Sequence, residues 1–128
     1  MKVLLDTCTV LWATLAPGTL TLKAQQTIAN PENTILVSAV SAWEISTKVR
    51  LGRLPGAEKL EQSFIEVMEQ AGYTLLDDDM RSALRAGRLT AEHRNPFDRM
   101  IAAQALGMDI AVVTPDAQLE QFGVRRVW

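Results

Sequence analysis

Apolar residues in this chain fall into two patterns. Short unbroken runs, "KVLLD", "TILVS", "YTLL" and "DIAVVT", read as strands buried on both faces. "VRRVW" at the end extends the set to a fifth strand. Between them lie longer segments with helical spacing. "TCTVLWATLAPG" predicts a helix stopped by Pro17 and Gly18, and "TLKAQQTIANP" a second with Leu22, Ile28 and Ala29 inward. "SAVSAWEISTKVRLGRL" predicts a helix capped by Ser38 and released at Gly52. "AEKLEQSFIEVMEQAG" places Leu60, Phe64, Val67 and Met68 on one face. "DDMRSALRAGRL" carries acids at its start and arginines at its end, as a helix dipole prefers. "NPFDRMIAAQA" has a capping Asn95, Pro96 at the first helical position, and Phe97, Ile101 and Ala105 repeating every four residues. "PDAQLEQF" predicts a last short helix.

Strands and helices alternate, and the strand interiors are continuously apolar. The expected fold is therefore α/β, a three-layer sandwich around a central parallel sheet of four to five strands. A length of 128 residues without repeat or long linker predicts a single domain over 1–128.

Composition changes this picture little. The hydrophobic and charged fractions are 48% and 22%, ordinary for a soluble globular chain. Cys8 is the only cysteine, so an intrachain disulfide is excluded and a cytoplasmic location is expected. The apolar start imitates a signal peptide, but Asp6 interrupts it, so it reads as mature protein. No run of about eighteen apolar residues exists to span a membrane. The formal charge of −2 does not announce a nucleic-acid binder. Its distribution is uneven, with acids concentrated over 58–79 and arginines over 81–99. One His and one Cys cannot build a zinc site, so a metal here needs oxygen ligands.

Carboxylates fall where such ligands would be placed. Ligands of open parallel sheets bind at the carboxyl ends of the strands. Asp6 closes the first strand, Asp116 follows the fourth, Glu44 lies in the helix after the second, and Asp98 starts the helix leading into the fourth. If the first and fourth strands are neighbours, the four acids can converge. Each also has a plainer reading. Asp6 and Asp116 suit helix caps, Asp98 suits a first helical turn, and Glu44 with Lys48 has the i,i+4 spacing of a surface ion pair. Hard cations such as Mg²⁺ and Mn²⁺ take carboxylate oxygens and activate water. A ring of acids without a His–Ser or His–Cys pair points to phosphodiester hydrolysis.

The segments "LLDT", "SAVSAWEISTK", "HRNPFDRMIAAQA" and "VVTPDAQLEQF" resemble, in this order, PIN-domain ribonucleases, and among them the VapC-type toxins of bacterial toxin–antitoxin pairs. The resemblance covers nearly the whole chain. It implies that Asp6, Glu44, Asp98 and Asp116 form an acidic catalytic pocket for Mg²⁺, with Mn²⁺ able to substitute. It implies outer hydrogen-bonding roles for Thr114 and Thr7. RNA as substrate, a small inhibitory antitoxin and a homodimer are likewise implied. Two positions depart from close relatives: Cys8 stands where they often carry His, and Asn95 where they often carry Asp. These bear on ion affinity and substrate preference. Arg99, beside Asp98, is a candidate for contact with substrate or antitoxin. Arg81, Arg85 and Arg88 form one stripe that suits either an RNA backbone or a solvated face. His93 reads as a loop residue, Cys8 as a packed one, and Trp12 and Trp43 as core or interface aromatics. Two alternatives stay open: a non-catalytic PIN-like module that binds RNA or protein, and a phosphotransfer receiver domain.

Overall fold

The computed structural model describes residues 1–92 and 95–128. Among these residues five strands, β1 (Lys2–Leu5), β2 (Thr34–Ser38), β3 (Thr74–Leu76), β4 (Ala111–Val113) and β5 (Arg126–Val127), pair in the order β3-β2-β1-β4-β5. Every pairing is parallel. Among the described residues seven α-helices connect them: α1 (Thr7–Leu15), α2 (Leu22–Ala29), α3 (Ala39–Arg50), α4 (Glu58–Gln62), α5 (Phe64–Gln70), α6 (Met80–Arg88) and α7 (Pro96–Met108). Short 3₁₀ turns occupy Pro17–Thr19 and Ala117–Phe122. None of the described helices is long and apolar enough to cross a membrane.

The two faces of β1 explain its unbroken apolar run. Val3 and Leu5 enter one core with Ile35, Val37, Val10, Ile45 and Met68. Leu4 enters the other with Leu36, Val112, Ile101 and Ala105. Helices α1, α2, α4 and α5 cover the first face, α7 covers the second, and α3 contributes to both. The expected α/β sandwich is thus observed with the full five strands. The receiver alternative requires the flavodoxin-like order, in which β1 lies between β2 and β3. Here β1 lies between β2 and β4, which sets that alternative aside.

Capping residues define most helix starts. Asp6, Thr21, Ser38, Asp79 and Asn95 each accept a backbone N–H of the first turn of the helix that follows. Gly52, with φ of 70°, takes the left-handed turn after α3.

Two expectations need correction. On α2 the inward residues are Ala24 and Ile28; Leu22, at the first helical position, and Ala29 face outward. An eight-residue helix lying on the sheet has room for only one narrow stripe. The continuous helix expected over 57–72 is two, broken where Ser63 adopts φ −117° and ψ 27°. Serine suits such a break because its hydroxyl competes for backbone groups. Leu60, Phe64, Val67 and Met68 nevertheless all face the first core, as their spacing predicted.

Candidate active site

The chain steps from β1 to β2 to β3 in one direction, then crosses back to place β4 on the other side of β1. Parallel sheets open a crevice at such a reversal, beyond the carboxyl ends of the strands. Leu5 and Val113 are register partners there, so the residues after them emerge side by side. The condition for convergence of Asp6 and Asp116 is therefore met. A cleft of about 400 Å³ at this point is lined by Asp6, Glu44, Asp98 and Asp116, with Lys48 and Asn95 among its other walls.

Asp6 is built in most firmly. It is buried and caps α1, its Oδ1 accepting the Thr9 N–H at 2.8 Å. Its Oδ2 accepts the Thr114 hydroxyl at 2.5 Å. The Thr9 hydroxyl in turn donates to the Val113 carbonyl at 2.8 Å, fastening α1 to β4. Burial pushes the Asp6 carboxyl above the usual carboxylate range. The hydrogen bonds from Thr114 and Thr9 oppose that rise, and the nearby Glu44 charge adds to it.

Glu44 lies on α3 and is only 3% exposed. Its Oε2 is bonded to Lys48 Nζ one turn on, so the expected i,i+4 pair exists but is not a surface pair. Its Oε1 is buried and has no hydrogen-bond partner among the described residues. Asp98, half-buried in the first turn of α7, follows the Asn95 cap, which accepts the Phe97 N–H at 2.9 Å. Asp116 caps the last 3₁₀ turn, accepting the Gln118 N–H at 2.9 Å, and its own N–H donates to Thr114 Oγ1 at 3.0 Å. The capping roles and the cleft positions thus coexist in the same side chains.

Hard carboxylate oxygens lining one cleft fit Mg²⁺ or Mn²⁺ in kind. They do not form a ready shell: among the described residues no three acidic, His or Cys side chains are close enough together to hold an ion.

The neighbouring residues divide. Thr114 donates directly to Asp6. Thr7 borders the cleft, but its hydroxyl donates to Ser41 Oγ at 3.0 Å. Arg99 is half-buried, and its guanidinium donates to the carbonyls of Ala86, at 2.8 Å, and Ala91, at 2.9 Å, and also to Leu89, beside the Phe122 ring. The Cys8 thiol is pushed up to about 11 by burial and by the charges of Asp6 and Glu44, which keeps it protonated and unsuited to nucleophilic attack. Trp12 packs against Trp128, whereas Trp43 is largely exposed, with Phe97 edge-on at 4.8 Å. Arg81, Arg85 and Arg88 are exposed along α6. His93 lies outside the described residues. Sequence reading overlooked Thr9, whose position one turn after a capping Asp was the available signal.

No curated protein matches the chain. Several solved structures share its fold. VapBC2 from Rickettsia felis, bound to a DNA fragment from their promoter, superposes with a TM-score of 0.69 at 18% identity over 100% of both chains. VapBC-1 from nontypeable Haemophilus influenzae gives 0.70 at 16% identity, over 98% of this chain and 96% of that one. FitAcB from Neisseria gonorrhoeae gives 0.59 at 19% identity, over 97% and 95%. A family model for the PIN domain matches residues 3–124. Matched over that length, and built on this sheet, the chain belongs to the PIN-domain family.

Proposed function

We propose that this protein is a Mg²⁺- or Mn²⁺-dependent endoribonuclease and the toxin of a type II toxin–antitoxin pair. The observation that carries the reading is the cleft shared by Asp6, Glu44, Asp98 and Asp116, with Glu44 Oε1 buried and without a hydrogen-bond partner among the described residues. Those four side chains would hold the cation. When bound, it supplies a water of lowered pKa and neutralises charge gathering on a phosphoryl oxygen.

The chain's own residues have definable tasks. Thr114 and the Thr9 N–H fix both oxygens of Asp6, so this carboxylate is oriented before substrate arrives. The remaining lone pairs of those oxygens stay available. Asp98 and Asp116 are half-buried and reachable from solvent, so in this reading one of them takes the proton released by the attacking water. In the reaction a water oxygen bonds to phosphorus and the P–O3′ bond breaks. The 3′-oxygen leaves with the proton that the carboxylate received from the water, giving 3′-hydroxyl and 5′-phosphate ends. A protonated Cys8 thiol supports hydrolysis by water without a covalent cysteine intermediate.

An inhibitory antitoxin and a homodimer belong to this reading through the resemblance to VapC-type toxins and the similarity to the VapBC structures. The non-catalytic module is the second reading. It is favoured by one observation, that the described acids do not already stand together as a three-ligand set. Cleavage of RNA by the purified chain separates the two. The nuclease reading expects cleavage with Mg²⁺ or Mn²⁺, silence in EDTA, and silence of Asp98→Asn. A chain that binds RNA but never cuts it, at any metal concentration, would leave the module.

A further inference from the structure

The cleft contains a cation of its own. Lys48 lies one turn beyond Glu44 on α3, and its Nζ is bonded to Glu44 Oε2. Both residues border the same cleft as Asp6, Asp98 and Asp116. The Glu44 side chain is 5% exposed and that of Lys48 35%, so the ammonium enters from the solvent side and keeps a path back to it. The far oxygen of Glu44 is buried without a hydrogen-bond partner among the described residues.

We propose that Lys48 is an exchangeable counter-ion that positions Glu44: it holds Glu44 while the cleft lacks a divalent ion and must release it before Glu44 can act as a ligand. This rests on the metal-dependent reading above. The reason is electrostatic. An ammonium and a divalent cation on the two oxygens of one carboxylate would lie roughly 4–6 Å apart, where like charges repel in a partly buried site. The flexible four-carbon stem of lysine allows the ammonium to swing out.

The cost of release lowers the apparent affinity for metal by the fraction of molecules in the open form. If Nζ is off Glu44 in about one molecule in ten, Mn²⁺ binds about tenfold more weakly than the freed site would. Titration calorimetry of the full, metal-stripped chain with MnCl₂ and without RNA reads this directly. Lys48→Met should bind Mn²⁺ about tenfold more tightly than wild type. Lys48→Arg keeps the charge and grips a carboxylate with two parallel N–H groups, so it should bind Mn²⁺ more weakly than wild type. Arg50→Met, which removes an exposed charge from the same helix, should match wild type. Lys48→Arg keeps the test decisive if Lys48→Met loses its fold. Mn²⁺ binding by Lys48→Met that is equal to or weaker than wild type overturns the proposal, as does binding by Lys48→Arg equal to or tighter than wild type. If wild type itself binds no Mn²⁺, the metal-dependent reading fails and takes this inference with it. If wild type binds Mn²⁺ and cuts RNA while the Lys48 variants are unchanged, the inference alone fails.

Discussion

Thr114 Oγ1 donates to Asp6 Oδ2 at 2.5 Å, joining residues 108 positions apart at the ends of β1 and β4. The same hydroxyl oxygen accepts the Asp116 N–H at 3.0 Å, so one side chain orders two cleft acids. Thr114→Val keeps the shape and removes both bonds. It should cost about 1.5–3 kcal/mol, the range for a buried hydrogen bond to a charged group. Urea denaturation of wild type and variant checks the loss. A change below a few tenths of a kcal/mol would mean the bond contributes little to holding the strands together.

Asp6 predicts the pH dependence of the metal-free protein. Its carboxyl is raised in the folded state, chiefly by burial, so the folded chain binds its proton more tightly than the unfolded chain does. That contribution is fully present below the unfolded carboxyl pKa and is lost as pH rises through the raised folded value. In EDTA, stability should therefore fall with rising pH in the window just above the ordinary carboxylate range. Asp6→Asn should flatten that fall, because its side chain does not titrate. Denaturation midpoints at closely spaced pH values test it, and identical slopes for wild type and variant would refute the assignment to Asp6.

Asp116→Asn separates fold from chemistry. Asparagine caps as well as aspartate, so the bond to the Gln118 N–H should persist. The variant should keep wild-type stability in EDTA or exceed it, since one of several mutually repelling carboxylates is gone. It should lose RNA cleavage. Wild type should gain roughly 2.7 kcal/mol from Mn²⁺ at a hundredfold excess over its dissociation constant, and the variant much less. Thermal melts with EDTA and with Mn²⁺, run beside a cleavage assay, decide the matter. Equal Mn²⁺ gains in both proteins would remove Asp116 from the ligand set.

Arg99 is expected to act on stability. Its guanidinium serves the carbonyls of Ala86, Leu89 and Ala91, which tie the end of α6 and the following turn to α7. A lysine cannot reproduce that planar fork. Arg99→Lys should lower stability by about 1.5–3 kcal/mol. A raised KM for RNA with an unchanged melting temperature would instead show that Arg99 contacts substrate.

The antitoxin half of the proposal has its own test. Expression of the chain alone should arrest growth, and co-expression of a small protein encoded beside it should relieve the arrest by binding. Relief by a partner that leaves RNA cleavage intact in vitro would contradict inhibition at the cleft.

Much of this architecture is written locally. Asp6, Ser38, Asp79 and Asn95 cap the helices that follow them because a short acceptor side chain satisfies N–H groups within its own turn. "VLL" and "ILV" are apolar at successive positions because helices cover both sides of their strands. Those features need only neighbouring residues, and sequence displays them. The break at Ser63 and the outward turn of Leu22 were hidden, because helical spacing marks an apolar stripe without saying how far the sheet beneath it extends. The cleft was decided at longer range. Only the return of the chain across the sheet sets β4 against β1 and brings Thr114 to Asp6. Only packing of α3 into the molecule converts the spacing of Glu44 and Lys48 from a solvated pair into a buried carboxylate held by its own cation. Spacing along a helix tells which side chains can meet; the dielectric in which they meet is set by whatever packs around them, and that is a property of the whole fold.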